Sequence, residues 1–318
     1  MSIEIKGSED LENRASLEEN TTQTSILLSA EEKQQIVVHI SGGEIGGIGK
    51  STVGKAIVYY YQKKGKQVIV VDCDRTNPDV WNMYQKNEVE AAHRLQLSDN
   101  TDREDAADEI LNWAAAKNLP VLVNLPAQAD TNIRAWLDRT VLPLIQLPEE
   151  EKDVEIQINY WFVTNGFKES LDLFLNSLWH YGGHIQHILV RNHGIASNWE
   201  NIENDPNLKY LTQKIIRLPK ASQNQAIIEK PEIDKKDKTI KDVDETGHKI
   251  LPIIQMEFPR LAKRERDKLN AEGISFREAL SASTNGNGRK VWPVWERSRL
   301  YNFTADAVTV FAETGVLP

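Results

Sequence analysis

The chain is poor in several features that would decide its class at once. Its 318 residues hold a single cysteine, Cys73, which excludes a disulfide scaffold and a Cys-rich zinc site. No apolar run approaches the ~18 residues that a membrane span requires. The first such run, residues 26–28, is short and flanked by charge, so no signal peptide is visible. There is no internal repeat and no heptad run. Basic charge is also in deficit, with 38 Lys+Arg against 47 Asp+Glu and a net charge of −9, which argues against a broad nucleic-acid footprint. A hydrophobic content of 40% with eight tryptophans is enough for a real core. These features lead to the expectation of a soluble, cytoplasmic protein without membrane contact.

The charge is unevenly placed. Residues 1–34 carry eight acids against three bases, a local −5, so the rest of the chain shares only −4. Residues 256–300 hold ten bases against six acids, a local +4. The chain is therefore read as four stretches: an acidic, disordered tail over 1–34, a nucleotide-binding domain over 35–230, a charged loop over 231–250, and an extension over 251–318 packing on the same domain.

Order is expected to begin at the β-branched run 36–40. A helix is predicted over 50–64, ended by Gly65, and 68–71 is an apolar strand closing on Asp72. The alternation continues with helices near 103–117, 133–144 and 169–179 and strands at 121–123, 156–163 and 185–190. A final core strand is expected at 215–218, then a short helix to about 230. Strands that are nearly wholly apolar and separated by helical patterns imply an α/β fold: a mostly parallel sheet covered on both faces. A last helix over about 295–313 would dock its apolar side on that sheet within a mainly helical C-terminal extension. Residues 284–289 read as a mobile loop.

The strongest motif is Gly46-Gly47-Ile48-Gly49-Lys50-Ser51-Thr52, between the first strand and the first helix. Phosphate oxygens need converging backbone N–H groups, and glycine lets the chain wrap closely around them. Lys50 can reach β/γ-phosphates, and Ser51 can offer a hydroxyl to Mg²⁺. The alternative, a strand–helix turn that merely needs glycine, does not account for the Gly-Lys-Ser-Thr run. The ordinary Walker A pattern is nevertheless missed by one residue, because its first glycine falls on Glu44.

The segment resembles the deviant Walker A loop of the ParA/MinD ATPases. The resemblance continues through "KGKQVIVVDCD", "LPVLVNLPAQAD" and "HILVRNHG" and covers roughly residues 36–220. "LPAQ" and the strand-end "RN" are similar to the subset found in plasmid mobilisation and maintenance. The resemblance implies a P-loop NTPase-type fold that binds ATP or ADP with Mg²⁺. Gly46, Gly47, Ile48, Gly49, Lys50, Ser51 and Thr52 would form the phosphate cradle. Ser51 would bind the metal directly, Asp72 and Asn124 would hold it through water, Asp74 would position the attacking water, and Asn192 would meet the adenine edge.

Two departures stand out. The family's signature lysine, which reaches across a dimer, falls on Ile45, and the Walker B aspartate falls on Asn124. Losing a cation and an anion alters phosphoryl transfer, in which charge stabilisation is most of catalysis. The expected function is an ATP-dependent switch in homodimerisation or protein-partner binding, with weak or partner-dependent hydrolysis by Lys50 and Asp74. The competing readings are a non-hydrolysing adaptor, a small-molecule kinase or ligase on the same fold, and a DNA-associated component of plasmid maintenance or transfer. The last would use Arg260, Lys263, Arg264, Arg266 and Lys268 with Arg289, Lys290, Arg297 and Arg299 against DNA phosphates, where the bland alternative is a solvated charged helix. His180, His184 and His187 lack the geometry of a zinc site, Cys73 reads as buried, and Trp81 and Tyr84 are either a contact surface or packing.

Overall fold

The computed structural model describes residues 33–86, 88–97, 101–217, 251–281 and 292–318, together with four two-residue strands between 227 and 249. The chain divides into two compact units, Met1–Gln34 and Gln35–Pro318, and the fold is that of the second. Of the expected tail over 1–34, residues 1–32 lie outside the described residues, as does the loop at 284–289.

Seven strands form one parallel sheet: β1 (Gln34–Gly42), β2 (Ile69–Asp72), β3 (Ala91–Arg94), β4 (Val121–Asn124), β5 (Val154–Thr164), β6 (Gln186–Asn192) and β7 (Ile254–Phe258). Their order is β7-β6-β5-β1-β4-β2-β3. The connections leave β1 in opposite directions, with β2, β3 and β4 on one side and β5, β6 and β7 on the other. An α/β sheet opens its ligand crevice at such a point, beyond the carboxyl ends of the strands. The ends of β1, β2, β4 and β6 therefore bring Ser41, Asp72, Asn124 and Asn192 to one edge.

The period-2 alternation of side chains explains why these strands are apolar throughout. Val38, Ile40, Ile69, Val71, Val121 and Val123 pack into one core. Their neighbours Val70, Leu122, Trp161, Val163, Ile188 and Val190 pack into the other. The first core is covered by α3 (Glu109–Lys117), α4 (Asp130–Trp136) and α6 (Lys168–Tyr181), through Ile110, Ile133, Trp136, Leu171 and Phe174. The second is covered by α1 (Lys50–Lys63) and the C-terminal helices. A π-turn, Leu137–Val141, continues α4 into α5 (Leu142–Gln146).

The C-terminal part departs from a mainly helical extension in one respect, because Ile254–Phe258 supplies the edge strand, parallel to β6. The helices α9 (Lys263–Glu272), α10 (Phe276–Leu280) and α11 (Val294–Glu313) follow it. Helix α11 buries Leu300, Phe303, Ala307 and Phe311. Phe311 meets Tyr60 of α1, Trp161 of β5 and Phe258 of β7 with ring centroids 6.1, 5.4 and 6.1 Å apart. Each such burial stabilises the fold by about 1.5–3 kcal/mol, so this helix is part of the core.

The strand expected at 215–218 is not formed. Residues up to Arg217 belong to α8 (Pro206–Arg217), which follows the short α7 (Glu200–Glu203). Leu208 and Leu211 are buried at helical spacing, so the apolar pair at 215–216 ends a 3.6-period pattern rather than beginning a strand. Residue 218 lies outside the described residues. Where a helix to about 230 was expected, Ile227–Ile228 is a strand paired antiparallel with His248–Lys249, and Glu232–Ile233 pairs with Ile240–Lys241.

Candidate functional site

The phosphate loop leaves β1 at Gly42 and enters α1 at Lys50. Gly47 and Gly49 take φ values of +74° and +95°, the left-handed region that glycine enters without steric cost. At Gly49 the requirement is also one of space, since a Cβ there would lie 2.2 Å from Asn192 Nδ2. Lys50 is buried, and its Nζ donates to Ile45 O at 2.8 Å, closing the loop over itself. Burial lowers the Lys50 ammonium to a pKa of about 8, against the opposing pull of Glu44 and Asp74. Ser41 Oγ anchors the first turn of α1 by donating to Lys50 O at 2.9 Å.

Ile45, at the signature-lysine position, gives its carbonyl to Lys50, and its side chain packs against the α1-side core. An aliphatic residue serves the loop in this way but supplies no cation. Asn192 stands at the end of β6 beneath the loop. Its Nδ2 donates to Ile48 O at 2.8 Å, and its Oδ1 accepts from Gly194 N at 2.9 Å. The structure thus uses Asn192, the residue expected at the adenine edge, as a tether of the loop.

The acidic side of the crevice is built differently. Asp72 and Asn124 are register partners on β2 and β4, and both are buried. Asn124 Nδ2 donates to Asp72 Oδ1 at 2.9 Å and lies 3.5 Å from Ser51 Oγ. Asp72 also accepts from Asp74 N at 3.1 Å, Val80 N at 2.9 Å and Trp81 N at 3.0 Å. It thereby caps the first turn of α2 (Asp79–Tyr84). Burial pushes its carboxyl above the usual range, against the pull of these hydrogen bonds. Asp74, the expected water-positioning acid, accepts from Thr76 N and Asn77 N through Oδ1, both at 2.9 Å. The expected metal trio of Ser51, Asp72 and Asn124 is therefore brought together, with Asp74 held in a turn beside it.

The sequence reading did not find two participants. Arg94 ends the four-residue β3 as the register partner of Asp72. Its guanidinium lies 5.5 Å from the Trp81 ring centroid, and Nη2 donates to Arg75 O at 3.2 Å. With Asp72, Asp74 and Arg75 it lines a cleft of about 230 Å³. Gln128 holds a left-handed φ of +58°, and its N–H donates to Glu44 O at 3.2 Å, joining the β4 loop to the phosphate loop. Gln128 stands where the resembled motif ends in glycine, and that was the available signal. Tyr84 is core packing: it is buried, with its hydroxyl donating to Lys55 O at 3.2 Å.

Three of the C-terminal bases are tied to buried glutamates. Arg264 and Lys268 reach the buried Glu296 at 3.1 and 2.5 Å, and Arg299 pairs with the buried Glu265. Arg289 and Lys290 lie outside the described residues. The three histidines diverge: His180 meets Asp138, His184 meets Gln146, and His187 is buried against Ser177. Cys73 is buried, and burial drives its thiol well above the ordinary range. No helix among the described residues is long and apolar enough to cross a membrane.

A parallel sheet with a glycine loop between its central strand and a buried helix defines a P-loop NTPase-type α/β protein. No protein-family model matches the chain. It is similar to Protein MobD of Acidithiobacillus ferrooxidans, with 29% identity over 138 residues, 43% of this chain and 55% of that protein. The matched region thus spans about half the length of that relative. Among solved structures it is similar to the MinD cell division protein of Aquifex aeolicus, with 14% identity, a TM-score of 0.41, and 87% and 97% of the two chains covered. It is also similar to a nucleotide-binding protein of Archaeoglobus fulgidus in complex with ADP, with cobalt found. There the identity is 11%, the TM-score 0.40, and the coverage 76% and 87%. The MinD protein among them is of the family that the sequence motifs resemble.

Proposed function

We propose that the protein binds ATP or ADP at the loop 46–52 and uses the bound state as a switch in homodimerisation or protein-partner binding. The observation that carries this reading is the phosphate loop itself. Left-handed Gly47 and Gly49 turn backbone toward the crevice, and a buried lysine sits in the middle of it. Without a ligand, Lys50 has only the Ile45 carbonyl and the fields of Glu44 and Asp74 to offset its desolvation. A polyphosphate is the ligand class that satisfies such a cation and a row of N–H donors together. The similarity to MobD supports placing the chain in the mobilisation subset.

The switch lies in the contacts between the loop and its neighbours. Glu44 O takes the Gln128 N–H, so a ligand that reshapes residues 44–49 acts on the β4 loop. Hydrolysis, if a partner completes the site, is slow: Ile45 offers no cation and Asn124 no carboxylate, while charge stabilisation is the main source of rate in phosphoryl transfer. Asp72 does not fit as a residue that would hold Mg²⁺ through water. The trio contains one carboxylate, and its oxygens already accept four hydrogen bonds. DNA binding is the less favoured reading, because Arg264, Lys268 and Arg299 are engaged in ion pairs.

Equilibrium binding of a fluorescent ATP analogue to the wild type and to Lys50→Ala tests the proposal. The expected loss is about a hundredfold in affinity, from a charge-assisted contact worth ~3 kcal/mol, with the melting temperature retained. Equal affinity in the two proteins overturns it. Phosphate release and molecular mass with and without ATP then separate a hydrolysing dimer from a non-hydrolysing adaptor.

A further inference from the structure

The Asp72 carboxylate is fully hydrogen-bonded in a place where the resembled family implies a water-held cation. An ionised carboxylate offers about four lone-pair sites, and Asp72 fills them with Asp74 N, Val80 N, Trp81 N and Asn124 Nδ2. A cation-bound water could donate to Asp72 only by displacing one of these. The group nearest the carboxylate from β4 is an N–H₂, which presents positive charge and repels a cation. The other end of the amide, Asn124 Oδ1, is buried without a hydrogen-bond partner. It is turned toward α1, where a Cβ on Gly54 would come within 3.8 Å of it. A second carboxylate at position 124 would instead place two like charges about 3 Å apart, an arrangement that demands a shared proton or a cation.

We propose that the Asn124 amide takes over the bridging work of a divalent cation. It fixes Asp72, and through Asp72 the start of α2, so that the site is assembled and the nucleotide is retained without metal. This inference rests on the nucleotide reading above for its binding arm only. The clasp connects three elements: β4 through Asn124, β2 through Asp72, and α2 through the Val80 and Trp81 N–H groups. Asn124 is thus a positioning residue.

The test uses the full chain and two variants, Asn124→Asp and Asn124→Ala, each in EDTA and in excess Mg²⁺. The first readout is thermal unfolding without nucleotide. The wild type is expected to melt at one temperature in both buffers. N124D is expected to melt about 5 °C lower in EDTA and to regain most of that loss with Mg²⁺. N124A removes the clasp without adding charge and is expected to be destabilised equally in both buffers, with faster amide exchange at Val80 and Trp81. The second readout is the affinity of a fluorescent ATP analogue. For the wild type it is expected to differ by less than about threefold between the buffers, and for N124D by about tenfold or more in favour of Mg²⁺.

A wild type stabilised by Mg²⁺ as strongly as N124D, or an N124D protein indifferent to the metal, overturns the proposal. If N124D does not fold in EDTA but folds in Mg²⁺, the proposal stands. If it folds in neither, N124A decides: unchanged exchange at Val80 and Trp81 overturns the clasp. Absence of nucleotide binding in every sample defeats the nucleotide reading, while the melting and exchange readouts still judge the clasp.

Discussion

The two limbs of the crevice were assembled by opposite means. On the phosphate limb, from Gly42 to Ser51, left-handed glycines shape the loop and a buried lysine donates to the Ile45 carbonyl. On the acidic limb the Asp72 carboxylate is satisfied by three backbone N–H groups and the Asn124 amide, and each of its oxygens is engaged. A site poised for hydrolysis would be under tension on both limbs. Here only one is, and the proposed reading, a nucleotide held longer than it is turned over, requires that asymmetry.

The largest effect should come from breaking the phosphate limb at Gly49. Gly49→Ala forces a side chain into left-handed backbone and against the Asn192 amide. Strain of about 1–3 kcal/mol and loss of the Asn192–Ile48 hydrogen bond, about 1 kcal/mol, give a destabilisation of roughly 2–4 kcal/mol, read by urea unfolding. Backbone exchange at Val80 and Trp81, which reports the acidic limb, should change no more than that global loss requires.

A smaller effect sharpens the electrostatic contrast. Lys50 has a pKa of about 8 in the free protein, and bound phosphate raises it, since the cation gains a partner. Nucleotide affinity is therefore highest below pH 8. It falls as pH rises from 8 through the bound-state value, by up to about tenfold per pH unit. The wild type measured from pH 7 to 9.5 should show this fall, and Lys50→Ala should not. Equal slopes in the two proteins would place the titration elsewhere.

The smallest effect concerns Gln128. Its φ of +58° is one that glycine adopts freely, so Gln128→Gly relieves strain and is expected to stabilise the fold by about 0.5–1 kcal/mol, net of glycine's entropic cost. A loss of stability would mean that the Gln128 side chain holds the β4 loop.

The legible parts of the chain were those where one local rule acts alone. A β-branched run followed by close-spaced glycines and Lys-Ser-Thr can be read without tertiary knowledge, and it places β1, the loop and α1. The strand ends Asp72, Asn124 and Asn192 could be placed at one edge, because apolar strands in a parallel sheet deliver their last polar residue to the crevice, while their roles came from the resemblance. Their partners could not be read. Asn192 serves the loop and Asn124 holds Asp72 through contacts between distant segments, and the capping of α2 by Asp72 depends on how the intervening turn folds. β3 was missed because four residues, Ala91–Arg94, carry no periodic signal. β7 was missed because its Ile254, Met256 and Phe258 alternate as an edge strand within a stretch otherwise rich in helical charge. The expected strand at 215–218 failed for the reverse reason, since a short apolar run has no period of its own.

The edge strand also bears on synthesis. Asn192 ends β6, and β6 is flanked by β7, which is made only when residue 258 has been added. At ~5–20 residues per second, the glycine loop emerges at least about 10 s before the last strand of its own sheet. For that interval the nascent chain carries a finished motif on an unfinished support, with β6 presenting an open edge. The sheet around the loop is therefore finished only near the end of translation, and a chain cut short before residue 258 would contain every candidate site residue and still lack the strand that flanks β6.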